Sequence, residues 1–270
     1  PEKVRHPILV SENGRAITAH HSVLIVEAIA ANSREMSEEI GPVEDGESPP
    51  VKELSKLLAS VGDKARRRSL GFLLEVFHDA VEKRQEVSLL FELGYLTLEQ
   101  KALAEKLYWS TCTAINRKLQ KRLPETLPKD LAEMREQLAD QYLCDFSVFQ
   151  SILDYWAIGQ LFPIMPVHRL KEQPSRRATL VDLTCDSDGK VDRFVSPLGT
   201  KSALELHRLN EGEPYFIGFF LMGAYQDIMG DLHNLFGRVN EVHVFLDPDE
   251  PTGYYVEEVI ALNYPTTLGE

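Results

Sequence analysis

The feature that most constrains the fold is a change of hydrophobic period within the chain. Between Val51 and about Asp140, apolar residues recur at three- and four-residue steps, as in Leu54/Leu57/Leu58/Val61, Leu70/Leu73/Leu74/Phe77 and Leu103/Leu107/Ile115/Leu119. That spacing builds one buried face on a helix. On either side the apolar runs are short and rich in β-branched or aromatic residues, as strands require. The reading is a helical insertion of three or four helices in a framework that is otherwise β-rich. Thr97-Leu98-Glu99-Gln100 supplies a capping box at one helix start, and Pro124 and Pro128 separate the last pair of helices. The Leu, Phe and Tyr stripes are read as core packing rather than ligand contacts.

Before the insertion, His6-Pro7-Ile8-Leu9-Val10-Ser11-Glu12 reads as a buried strand that ends at Asn13-Gly14 and delivers Glu12 to its C-terminal edge. Catalytic groups stand at that edge in α/β barrels. A second strand-like run covers His21–Ile29, and the proline- and acid-containing stretch Ile40–Pro50 reads as a solvated linker. After Pro163 and Pro166, the runs Ala178–Thr184, Val191–Val195, Tyr215–Leu221, Val242–Leu246 and Tyr254–Ile260 read as strands of a β-barrel or sandwich.

Composition narrows the partners. The 270 residues are 43% hydrophobic and 26% charged, with 29 Lys+Arg against 42 Asp+Glu and a formal net charge of −13. Such a chain has the make-up of a globular protein. Its charge disfavours nucleic acid and anionic membrane surfaces, because phosphates need a positive face. The longest apolar stretches, Ser22–Ala31 and Phe216–Ala224, are shorter than the roughly 18–20 residues of a membrane span. Cys112, Cys144 and Cys185 are odd in number and lack C-x-x-C spacing, so a reducing cytoplasm is expected rather than a disulfide framework or zinc site. The start at Pro1, without an initiator Met and with no signal-peptide pattern following, suggests that the native N-terminus lies upstream.

The densest polar chemistry lies in Thr184-Cys185-Asp186-Ser187-Asp188-Gly189. A calcium loop fails: with Gly189 at the sixth position, Thr184 stands first and Val195 occupies the place of the bidentate acid. An acidic β-turn explains the spacing alone. Cys185 beside the acids adds a second reading, a proton donor next to carboxylates able to hold a cation.

Ala178–Lys190, with its Cys-Asp-Ser-Asp-Gly core, resembles the Cys-Asp loop of the alanine-racemase-like amino acid decarboxylases, in the form of their biosynthetic arginine branch. Further segments fall in the same order: Ser11-Glu12-Asn13-Gly14-Arg15 is similar to the family's Glu-x-Gly-Arg segment, and Gly223-Ala224-Tyr225 to its Gly-Ala-Tyr motif. Leu161–Pro166 and Asp231–Gly237 resemble arginine-branch signatures.

The resemblance implies an α/β plus β fold. Its expected parts are the last strand and turn of a TIM-like (β/α)8 barrel at 1–21, a strand entering the β-barrel domain at 22–39, a linker and helical insertion at 40–140, and a C-terminal β-barrel domain at 141–270. It implies pyridoxal 5′-phosphate as cofactor, with Glu12 at the pyridine nitrogen and Gly14, Arg15 and Tyr225 at the phosphate. Cys185 would protonate the carbon that loses CO2, Asp186 would hold the distal cation of the substrate, and His233 would wall the pocket. It also implies L-arginine as substrate, agmatine as product, Mg2+ dependence, and a homodimer or homotetramer in which the Cys-Asp loop completes the partner's site.

Each part suits its assigned chemistry. A carboxylate keeps the pyridine nitrogen protonated, a guanidinium fork matches a phosphate, and a thiol of ordinary pKa, roughly 8.5, is protonated at neutral pH. The family's Schiff-base lysine precedes these motifs. Lys3, the only lysine before Glu12, does not correspond to it, so the chain alone is expected to be an inactive C-terminal fragment. Leu143-Cys144-Asp145-Phe146-Ser147 departs from the branch's Tyr-Val-Asn-Phe-Ser. Two alternatives stay open: a decarboxylase of ornithine, lysine or diaminopimelate, against which the long insertion argues, and a catalytically dead interaction module, against which the joint presence of Cys185 and Asp186 argues.

Overall fold

The computed structural model describes residues 6–33, 40, 43–44, 46–62, 69–120, 127–197, 199–230 and 239–260. Two units divide the chain, Pro1–Ala31 with Gln141–Glu270 and Asn32–Asp140. Residues 6–13 form no strand, and Ile8, Leu9 and Val10 are 91%, 88% and 89% exposed. The buried strand expected there is thus absent. An extended segment is held only when neighbouring strands take up its N–H and C=O groups, and no described strand pairs with this one. Asn13-Gly14 leads directly into the single turn of α1 (Arg15–Thr18). In β1 (Ser22–Asn32), Leu24, Val26 and Ala28 are buried while Val23, Ile25 and Ile29 are exposed, the alternation of a strand covered on one face.

The inserted unit contains, among the described residues, α2 (Pro49–Gly62), α3 (Leu70–Glu92), α4 (Leu98–Gln120) and α5 (Lys129–Gln137). The periodic positions form its core: Leu54 and Val61, Leu73 and Phe77, Leu107, Ile115 and Leu119, Leu131 and Met134 are buried together. Each such side chain contributes roughly 1.5–3 kcal/mol relative to exposure. The capping box forms in both directions, with Gln100 N donating to Thr97 Oγ1 at 3.3 Å and Thr97 N donating to Gln100 Oε1 at 3.1 Å. Ser69 caps α3 by accepting from Phe72 N at 3.1 Å. Helix α2 starts at Pro49, slightly inside the expected linker, because proline's fixed φ suits a first helical turn.

The other unit continues with β2 (Asp140–Cys144), α6 (Val148–Ser151), α7 (Leu153–Ile158), β3 (Ile164–Pro166), β4 (Arg176–Val181), β5 (Lys190–Val191), β6 (Phe194–Ser196), β7 (Gly199–Lys201), β8 (Leu204–Leu206), β9 (Phe216–Met222), α8 (Gln226–Met229), β10 (Glu241–Leu246) and β11 (Tyr254–Ile260). Seven strands make a nearly closed, barrel-like sheet in the order β3-β9-β1-β2-β4-β5, with β8 also on β4. Strand β9 is antiparallel to both neighbours, pairing Phe219 with Leu24 on one side and Ile164 on the other. The pairs β6-β7 and β10-β11 stand apart from it.

The run Val191–Val195 breaks into two strands because the N–H groups of Asp192 and Arg193 both donate to Tyr155 Oη, at 3.0 Å each, and leave the ladder. At the sheet's core, buried His207 donates from Nε2 to the Glu172 carbonyl at 2.9 Å, so its Nδ1 accepts from Tyr215 Oη at 2.8 Å. The Tyr215 hydroxyl also accepts from His207 N at 3.0 Å. The signature Asp231–Gly237, including His233, lies outside the described residues.

Candidate active site

The end of β9 and the turn before α1 meet at one corner. Gly223 and Tyr225 both take left-handed backbone, with φ of 127° and 64°, which turns the chain sharply out of the sheet. Gly223 meets this at no steric expense, whereas Tyr225 is held there against its preference. His21 N donates to Met222 O at 3.0 Å and fixes where the preceding loop joins β9. The Arg15 guanidinium lies over the Tyr225 ring, its Cζ 5.3 Å from the centroid. A Cβ on Gly14 would stand 2.8 Å from the Tyr225 hydroxyl, so a larger residue there would require the tyrosine tip to shift. The structure therefore brings Gly14, Arg15 and Tyr225 together. Glu12 lies exposed just ahead of them.

Arg15 is fixed by a residue that the sequence reading missed. Its Nε and Nη2 donate to the two carboxylate oxygens of Asp154, each at 2.8 Å, a bidentate fork. The Asp154 side chain is almost fully buried, while Arg15 remains 39% exposed. Asp154 N donates to Gln226 Oε1 at 3.2 Å, and Gln226 Nε2 to Ala224 O at 3.2 Å, which ties the fork to the tyrosine's own turn. The hydrogen bond with Asp154 raises the Arg15 pKa further, so the cation is permanent. Among the described residues, Nη1 and the second hydrogen of Nη2 are not taken up by this fork and can face an anion.

The second cluster is the loop between β4 and β5. Asp182, buried at its root, accepts from Thr184 N at 2.9 Å, Thr184 Oγ1 at 2.6 Å and Val148 N at 2.8 Å. Asp186 Oδ1 accepts from Asp188 N at 3.0 Å and Asp186 O from Gly189 N at 3.1 Å, so the acids close a tight turn as their spacing implied. A Cβ on Gly189 would collide with Asp182 and Thr184. Cys185 and Asp186 project from this hydrogen-bonded loop, both exposed. Cys112 and Cys144 are buried and free, and burial raises the pKa of each, Cys112 to about 12.

One short helix holds both clusters. On α7, Asp154 grips Arg15, Tyr155 binds Asp192 and Arg193 just after β5, and Trp156 Nε1 donates to Asp188 Oδ2 at 3.3 Å. The only sequence sign of this role was an acid beside aromatics in Leu153-Asp154-Tyr155-Trp156, a pattern that burial alone also produces. Among the described residues, no group of three or more His, Cys, Asp and Glu side chains could hold a metal ion. No described helix is long and apolar enough to cross a membrane.

Comparison with known proteins adds relatives to this geometry. Residues 44–135 match the model of the arginine decarboxylase helical bundle domain, a span that covers the stretch from just before α2 into α5. The chain is 44% identical over 256 residues to the biosynthetic arginine decarboxylase of Gloeobacter violaceus, covering 94% of this chain and 38% of that protein. It is 45% identical to that of Nostoc, with 94% and 36% covered. The crystal structure of the biosynthetic arginine decarboxylase from Campylobacter jejuni superposes with a TM-score of 0.69 at 35% identity, covering 92% of this chain and 37% of that one. The chain thus spans well under half the length of the relatives it matches. Over that span, with the helical bundle, the barrel-like sheet and close sequence similarity in agreement, the chain belongs to the family of biosynthetic arginine decarboxylases.

Proposed function

We propose that the whole protein decarboxylates L-arginine to agmatine and CO2 with pyridoxal 5′-phosphate, as a cytoplasmic step of polyamine synthesis. The observation that carries this reading is α7, whose Asp154 holds a permanent cation at Arg15 and whose Trp156 bonds the Cys185-Asp186 loop at Asp188. The Arg15 corner fits the cofactor's phosphate: among the described residues one guanidinium edge is not engaged by Asp154, the Tyr225 ring lies under the guanidinium with its hydroxyl against Gly14, and Gly14 leaves room that a Cβ would fill. Glu12 is assigned to the pyridine nitrogen. When bound, the cofactor supplies the electron sink that lets CO2 leave the α-carbon.

The chain's own residues supply the rest. Cys185 Sγ donates a proton to the α-carbon once CO2 has left, a task suited to an exposed thiol on a hydrogen-bonded turn. Asp186 receives the guanidinium of arginine through charge-assisted hydrogen bonds. Asp188, committed to Trp156, orients the loop instead. His233 is assigned to the pocket wall. The active unit is a homodimer or homotetramer in which one protomer's Cys-Asp loop serves its neighbour's Arg15 corner.

The substrate assignment is tested by offering the whole protein arginine, ornithine, lysine and diaminopimelate and measuring amine and CO2. Arginine should exceed ornithine by roughly a hundredfold or more in kcat/KM, since a site built for a guanidinium leaves buried polar groups unpaired with a shorter amine. A preference for any of the other three, or no turnover of all four, overturns it.

A further inference from the structure

We propose that Asp154 is a positioning residue for cofactor phosphate recognition, holding the Arg15 fork at the angle that presents its free edge. The inference rests on the reading that Arg15 binds that phosphate. An arginine at the surface samples many rotamers, and fixing it at the moment of binding weakens affinity. Here Arg15 sits on a helix of a single turn and its side chain is 39% exposed. Its own backbone therefore offers little restraint. The restraint comes from a buried carboxylate that bonds both Nε and Nη2 at 2.8 Å, backed by the Tyr225 ring at 5.3 Å.

Asp154 is itself pinned. Its N–H donates to Gln226 Oε1, and Gln226 returns a bond to Ala224 O, next to Tyr225. Arg15, Asp154, Gln226 and Tyr225 thus form one loop of contacts, and the two groups assigned to the phosphate are set relative to each other through Asp154. Two opposed effects act on a phosphate dianion: the Asp154 charge repels it, while the held fork receives it without a loss of side-chain freedom. The carboxylate occupies the edge away from Nη1 and is already neutralised by Arg15, so orientation outweighs repulsion. Since a lysine presents a point charge and no planar fork, retaining the charge at position 15 does not retain the function.

The test measures binding of pyridoxal 5′-phosphate and of pyridoxal, which lacks the phosphate, to the whole protein freed of cofactor. Asp154→Asn should weaken pyridoxal 5′-phosphate about tenfold and leave pyridoxal unchanged. Arg15→Lys, which spares the buried carboxylate and serves should Asp154→Asn not fold, should show the same selective loss. Arg15→Ala together with Asp154→Asn should bind no more weakly than Arg15→Ala alone. If Arg15→Ala itself leaves phosphate discrimination intact, the phosphate reading fails and the inference with it. If Arg15→Ala abolishes discrimination while Asp154→Asn preserves or tightens it, or if Asp154→Asn weakens both ligands equally, Asp154 does not position the fork.

Discussion

Burial sorts the three thiols of this chain into two that are withdrawn from chemistry and one that is offered to it. Hydrogen bonding distinguishes the acids of the Cys-Asp loop: Asp182 anchors its root, Asp188 takes the Trp156 indole, and Asp186, whose Oδ1 closes the turn with Asp188 N, is the acid assigned to the substrate. Asp186→Ala should therefore lower kcat/KM for arginine roughly tenfold to a hundredfold, the worth of one charge-assisted pair. Unchanged arginine kinetics would remove Asp186 from the site. In the sheet's core, Tyr215→Phe takes away the hydroxyl that serves both His207 N and His207 Nδ1. Leaving those buried groups unpaired should cost about 1–3 kcal/mol, read as a lower unfolding midpoint, and an unshifted midpoint would show that the pair is not sustained. Gly14, Arg15, Tyr225, Cys185 and Asp186 could be proposed from the sequence because each stands in a short contiguous motif. Asp154 was not, because its meaning arises from a contact 139 residues away in sequence.

At the scale of elements, the helices were the most readable, since a repeated period and a capping box are local signals. The strands were read less well. The segment at Ile8–Val10 lacks the neighbours that a strand needs, and the run through Asp192-Arg193 was diverted by a tyrosine hydroxyl. Strand β2 ends beside Asp145, whose Oδ1 accepts from Glu27 N on β1 at 2.6 Å. Burial raises the Asp145 pKa, with Glu27 adding repulsion, against the lowering effect of that hydrogen bond. A carboxyl with a raised folded pKa favours the fold below its unfolded pKa, near 3.9, and loses that contribution as pH rises through the folded value. Asp145→Asn keeps an oxygen for Glu27 N and carries no charge. It should raise stability modestly at neutral pH, by about 0.5 kcal/mol, with the gain vanishing below about pH 4. Unfolding curves across that range check the sign, and a loss at neutral pH would contradict it.

For the whole molecule, the helical unit and the barrel-like unit each bury a core of their own, and all the site residues assigned here among the described residues belong to the latter. We propose that this segment furnishes two half-sites, a phosphate corner and a proton-donating loop, that work together only between protomers. Subunit mixing tests it most directly. At limiting pyridoxal 5′-phosphate, the homo-oligomers of Cys185→Ala and of Arg15→Ala with Tyr225→Phe should each be nearly inactive toward arginine. After verified exchange, a mixed pair has one site that combines Arg15 and Tyr225 from the first variant with Cys185 from the second. With random exchange half the pairs are mixed and half of their sites are whole, so activity should return to about a quarter of wild type, as two-fold symmetry of a shared site requires. Mixed subunits that remain inactive would contradict the account.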